Sequence, residues 1–122
     1  MNKLKTIMVV DDDRAILDSV CIMLEFEGYQ VYCTPDGGEV LKLENNLPDL
    51  LLLDIWMSGM DGREICKQLK RNAATHNMPV VLISASQDIA QSALAAGADD
   101  FLAKPFDIDD LLGKIEKNLA TG

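Results

Sequence analysis

Four strand-like runs in this chain each stop at a polar side chain, and the set of side chains so placed could handle a phosphoryl group. Thr6-Ile7-Met8-Val9-Val10 stops at Asp11 and Asp12, and Leu50-Leu51-Leu52-Leu53 stops at Asp54. Val80-Val81-Leu82-Ile83 stops at Ser84, and Asp99-Asp100-Phe101-Leu102-Ala103 stops at Lys104. Carboxylates gathered at one place repel one another and tend to raise their pKa values. A hard divalent cation relieves that repulsion, and Mg²⁺ takes one or two carboxylates plus waters and phosphate oxygens. Lys104 adds a positive counter-charge: at ~4 Å and an effective dielectric near 20, one such pair gives roughly 4 kcal/mol. An oxyanion beside Asp54 would meet Mg²⁺, the Lys104 ammonium and the Ser84 hydroxyl, the groups that stabilise a transferring phosphoryl group. A carboxylate can itself accept that group covalently. The residues therefore point to Asp54 as a Mg²⁺-assisted phosphoryl acceptor.

That chemistry requires the four runs to end at one edge of a sheet. A short continuous apolar run bounded by turn signals reads as a strand buried on both faces, as in parallel sheets. Between the runs the spacing turns helical. Ile16, Leu17, Val20, Met23, Leu24 and Glu27 follow helical spacing, with Asp13 as N-cap and Gly28 as C-cap. Tyr29–Thr34 is β-prone and reads as a second strand, followed by the turn Pro35-Asp36-Gly37-Gly38 and a weak helix over Glu39–Asn45. Helices are also expected over Arg63–Arg71 and Gln87–Ala96, and over a last segment carrying Ile108, Leu111, Leu112, Ile115 and Leu119. Five repeats of strand then helix mean an α/β fold with a parallel sheet covered on both faces. Such sheets present ligands at the carboxyl ends of their strands.

At 122 residues the chain reads as one domain over 1–122, with no linker or low-complexity tract. Apolar residues make up 48% and charged residues 25%, a globular balance. The net charge of -9 argues against direct binding to nucleic acid or to an anionic membrane. No signal peptide or membrane-spanning run is evident, so a cytoplasmic protein is expected. Cys21, Cys33 and Cys66 lack metal-ligand spacing and read as core thiols in a reducing cytosol.

Five segments in order carry a resemblance: Val9-Val10-Asp11-Asp12, Leu53-Asp54-Ile55-Trp56-Met57, Gly59-Met60-Asp61-Gly62, Ile83-Ser84-Ala85 and Gly97 to Phe106. The whole chain resembles the receiver domain of bacterial two-component response regulators. That likeness implies a flavodoxin-like, five-stranded parallel sheet in the order 2-1-3-4-5 flanked by five helices. It implies that Asp54 is the aspartate phosphorylated by a histidine kinase. Asp12 and Asp54 would be direct Mg²⁺ ligands, Asp11 would hold a metal-bound water, and Trp56 would offer its backbone carbonyl. Ser84 would be the switch hydroxyl, Lys104 its partner at the phosphoryl group, and Phe101 the aromatic switch residue. The Lys104–Pro105 bond is expected to be cis. Implied partners are a sensor histidine kinase or phosphotransfer protein and a downstream effector domain or protein, with a monomeric unphosphorylated state.

The chain also departs from the family pattern. Ser58 replaces a common proline, Phe101 lacks the hydroxyl of the commoner tyrosine, and the segment from Ser84 to Gly97 is short. Gln87–Ala96 contains no Lys or Arg, which disfavours dimers built on charge pairs across that helix. Trp56, two residues past Asp54, is expected beside the site, where with Ser86 it could shield the phosphoryl group from water. An aspartate-nucleophile phosphatase would need a carboxylate at the position of Trp56, so the chain reads as a phosphoacceptor and not an enzyme on external substrates. Flavodoxin-type cofactor binding is disfavoured because Asp11-Asp12-Asp13 would repel a phosphate. The remaining alternative is a receiver-like interaction domain that works without phosphorylation.

Overall fold

A computed structural model of the chain describes residues 4–57, 59–85 and 88–120. The long strands are β1 (Thr6–Val10), β2 (Gln30–Thr34), β3 (Leu50–Asp54), β6 (Val80–Ser84) and β7 (Asp100–Ala103). All pair in parallel, in the order β2-β1-β3-β6-β7. Counting only these five, the order is the expected 2-1-3-4-5. The helices are α1 (Arg14–Phe26), a 3-10 segment (Gly37–Lys42), α2 (Gly62–Arg71), α3 (Ile89–Ala96) and α4 (Ile108–Ala120).

The sheet divides the core because strand side chains alternate between its faces. Ile7, Val9, Leu50, Leu52, Val81 and Ile83 pack under Leu17, Val20 and Leu24 of α1 and Leu111 and Ile115 of α4. Met8, Val10, Leu51, Leu53, Val80 and Leu82 face Ile65, Cys66 and Leu69 of α2 and Ile89, Ala93 and Ala96 of α3. Every residue of β3 and β6 is buried, which explains their uninterrupted apolar sequences.

Local signals set the helix ends. Asp13 caps α1 by accepting from the Ala15 and Ile16 amides at 3.1 and 3.3 Å. Glu27 is the C-cap, and Gly28 follows it at φ +98°, a conformation that favours glycine. The weak helix read over Glu39–Asn45 is instead a 3-10 segment starting at Gly37, capped by Asp36 through the Gly38 amide. Gly37 lies against the core: a Cβ there would come within 2.8 Å of Ile65 Cδ1 and 3.0 Å of Met57 Cε, ends of flexible side chains. The start of the helix read over Gln87–Ala96 falls partly outside the described residues; the described helix begins at Ile89.

Two findings lie outside the sequence reading. The segment after Asp54 is a small antiparallel hairpin, β4 (Trp56–Met57) with β5 (Met60–Asp61), not a plain loop. Cys66 is a fully buried thiol as expected, whereas Cys21 and Cys33 are only partly buried and lie side by side, their Cα atoms 6.6 Å apart. They meet because Cys21 lies on the sheet-facing flank of α1 and Cys33 faces it from the edge strand. No described helix is long and apolar enough to cross a membrane.

Candidate functional site

Strand register converts four separate sequence positions into one site. Val10 is level with Leu53, Asp54 with Ile83, and Ser84 with Ala103. Asp11, Asp54, Ser84 and Lys104 therefore emerge along one edge of the sheet. The neighbours β1 and β3 lead the chain outward in opposite directions, so the site lies where strand order reverses.

Asp11 and Asp54 are almost wholly buried, whereas Asp12 is exposed. One carboxylate oxygen from each of the three falls within 4.8 Å of the others, the one such acidic group among the described residues. Lys104 Nζ lies 3.0 Å from Asp11 Oδ2 and 3.4 Å from Asp54 Oδ1. Asp11 is held from its other side by the Asp13 amide, which donates to Oδ1 at 2.9 Å. The acid trio and the lysine thus come together as the sequence suggests, while Asp13 is spent on its cap.

Burial, and next the neighbouring charge of Asp11, push the Asp54 carboxyl up to about 6; Lys104 opposes that rise. Burial would lower the Lys104 ammonium, but its hydrogen bond to Asp11 and the charge of Asp54 raise it on balance. At neutral pH Asp54 is mostly ionised and Lys104 is charged. Such a site holds net negative charge with an ammonium already in place, and it suits a hard cation.

Ser84 is buried at the end of β6, and its carbonyl accepts from the Lys104 amide at 2.9 Å. The Lys104–Pro105 peptide bond is cis. Phe101 is partly buried and packs against the α2–α3 side of the core. Lys114 Nζ sits 4.8 Å from its ring centroid. Trp56 opens the hairpin and is 58% exposed, so its ring stands at the rim and not in the core. Ser58 and Ser86 lie outside the described residues. His76 is exposed in its loop, away from the strand ends.

The acceptor strand needs a glycine nearby. The Gly62 amide donates to the Ile55 carbonyl at 2.7 Å. A Cβ on Gly62 would overlap the Asp54 carbonyl oxygen and come within 2.9 Å of Ile55 Cα.

Two further features escaped the sequence reading. Arg63 makes a two-pronged contact to Asp61, Nη2 to Oδ2 at 2.7 Å and Nε to Oδ1 at 3.0 Å, and its guanidinium lies 4.8 Å from the Trp56 ring centroid. Asp61 also caps α2 through the Arg63 amide, a signal visible as Asp-Gly-Arg at a helix start. Beside Lys104 there is an open cavity of about 470 Å³ lined mainly by apolar groups, including Ile16, Val20 and Met23 of α1 and Ala85, Pro105 and Phe106. Only the α1 half of that wall was legible, as the outer edge of a helical stripe.

Residues 7–116 match the model of the response regulator receiver domain. The chain belongs to this family. Over 112 residues the receiver domain is 41% identical to the response regulator MprA of a Mycobacterium species, covering 89% of this chain but 48% of that protein. It therefore spans about half the length of the curated relatives it matches. It is also similar to the solved CheY-like receiver domain protein of Methanospirillum hungatei, at 38% identity and a TM-score of 0.87 over 98% of this chain and 96% of that one. The response regulator TrrA of Thermotoga maritima, solved in complex with Mg²⁺ and BeF, matches at 30% identity and a TM-score of 0.83, over 94% and 99% of the two chains. This receiver domain is thus a module of two-component signalling.

Proposed function

We propose that residues 1–122 form a cytoplasmic receiver domain in which Asp54 accepts a phosphoryl group from the phosphohistidine of a sensor kinase or phosphotransfer protein. The observation that carries this reading is the position of Asp54, buried at the end of β3, 3.4 Å from Lys104 and beside Asp11 and Asp12. The ionised carboxylate attacks phosphorus and the bond to the kinase imidazole breaks, leaving an acyl phosphate on Asp54. Lys104 is placed to pair with an oxygen of the incoming group, and the Ser84 hydroxyl to approach another. The donor set fits Mg²⁺: hard oxygens from Asp11, Asp12 and Asp54, with Trp56 offering a backbone carbonyl. When bound there, the ion would offset the charge gathered on the phosphoryl oxygens. The domain assists its own phosphorylation and dephosphorylation but acts on no outside substrate.

An apolar cavity opens beside Lys104, next to the acceptor. Phosphorylation draws Ser84 toward the phosphoryl group and Phe101 inward, altering the face built from α3, β7 and α4. That face engages the downstream effector, while the unphosphorylated protein is monomeric. The net charge of -9 leaves any nucleic-acid contact to another domain or protein.

The test uses the full chain with Mg²⁺ and acetyl phosphate, read by intact mass and by the emission of Trp56, the one tryptophan. One added phosphoryl group that disappears in Asp54→Ala, with a Mg²⁺-dependent emission change, is the expected result. A folded protein that takes no phosphoryl group would instead be an interaction domain working without phosphorylation.

A further inference from the structure

We propose that Cys21 and Cys33 form a reversible thiol–disulfide site that ties α1 to the edge strand β2 when the protein is oxidised. Their Cα atoms are 6.6 Å apart, inside the range that a disulfide spans without moving the backbone. Cys21 sits in the second half of α1, and Cys33 is level with Val9 in the strand pairing. Apolar packing also joins the two elements, through Leu17, Val20 and Leu24 against Val31 and the β1 side chains Ile7 and Val9. The packing of α1 on the sheet edge thus holds the two cysteines as neighbours, at a Cα separation that a disulfide can span.

Exposure separates this pair from the third cysteine. Both members are partly accessible along the seam between α1 and the sheet edge. Cys66 has no exposed surface, and burial pushes its thiol up to about 11. Thiols react as thiolates and only where an oxidant can reach them. Oxidation therefore selects the Cys21–Cys33 pair and leaves Cys66 reduced.

The oxidant is a hydroperoxide. One thiolate attacks the peroxide oxygen, the O–O bond breaks, and water or an alcohol leaves, giving a sulfenic acid. The second sulfur then displaces water from it. In sum two thiols give up two protons and two electrons, and the peroxide becomes two hydroxyl compounds. A dithiol reverses the bond by exchange. Because the bond joins residues 12 apart in the chain, it restricts the unfolded state and stabilises the fold.

The experiment treats the fully reduced chain with hydrogen peroxide under native conditions, then reads intact mass, thiol count after denaturation, and melting temperature. The expected product is two hydrogens lighter, keeps one of its three thiols, and melts about 5–15 °C higher. Peptide mapping should join Cys21 to Cys33, and dithiothreitol should restore the reduced melt without unfolding the protein. Cys21→Ser and Cys33→Ser should each abolish the mass loss, while Cys66→Ala should keep it. Three thiols surviving, cross-links only between chains, or a bond that opens only after denaturation would each overturn the proposal.

Discussion

A single ammonium serves two buried carboxylates: Lys104 Nζ contacts Asp11 Oδ2 at 3.0 Å and Asp54 Oδ1 at 3.4 Å. Asp11 has a backbone amide as a second donor, and among the described residues no backbone amide donates to Asp54. The Asp54 carboxyl is displaced upward by burial and by the charge of Asp11, with the shared lysine opposing them. The site stores electrostatic free energy at the atom proposed to accept the phosphoryl group, and stability should show it.

Asp54→Asn should stabilise the metal-free protein at pH 7. A carboxyl displaced upward, from 3.8 to about 6, binds its proton more tightly in the folded state than in the unfolded one. Its ionisation therefore costs stability, fully above the folded value and not at all below the unfolded one. Urea unfolding in chelator should give Asp54→Asn an advantage of roughly 2–3 kcal/mol at pH 7 that shrinks as pH falls from 6 toward 4. An advantage unchanged across that window would refute the electrostatic account.

Asp12→Ala should separate folding from metal binding. Asp12 is exposed, so its loss should change stability without metal by no more than about 0.5 kcal/mol. Millimolar Mg²⁺ should raise the melting temperature of the native chain through preferential binding to the folded state, and chelator should cancel the rise. In Asp12→Ala most of that Mg²⁺-dependent rise should be lost.

Gly62→Ala is expected to damage the acceptor without touching a charge. The added methyl meets backbone at the Asp54 carbonyl and Ile55, neither of which can rotate away. A cost of about 1–3 kcal/mol should appear in chemical denaturation, together with slower uptake of phosphate from acetyl phosphate. Unaltered stability would show that the hairpin yields at this point.

Arg63→Ala should release the Trp56 ring. The guanidinium is held by Asp61 in two-pronged fashion and lies over the indole, so truncation removes one wall of the ring's surroundings. Acrylamide should quench Trp56 emission more strongly in the variant, and Arg63→Lys should restore only part of the protection because lysine lacks the planar fork. Equal quenching in all three proteins would rule out the stacking contact in solution.

Asp100 should act with the opposite sign to Asp54. Burial alone would raise it, but hydrogen bonds from Asn118, Lys114 and the Phe101 amide hold it at about 2. A depressed carboxyl lends stability above its unfolded value and loses it as pH falls through the folded one. Asp100→Asn should therefore cost about 2 kcal/mol at pH 7, and the gap to the native chain should close between pH 4 and pH 2.

The sequence alone determined the strand–helix alternation, the sheet order through the family resemblance, and which polar side chains stand at the strand ends. Those features rest on local periodicity and on where apolar runs stop. Leu50 to Leu53 must be buried on both faces, and a charge must end them. The 3-10 form of Gly37–Lys42 was not legible in the sequence, which showed only a turn and a weak helical tendency there. The Arg63–Trp56 contact depends on the hairpin that brings Asp61 level with Trp56. The meeting of Cys21 with Cys33 depends on α1 packing over the sheet edge. Tertiary structure also decided the charge balance. Distance and burial, which no spacing encodes, raise the Asp54 carboxyl above its ordinary value and give Lys104 to two carboxylates at once.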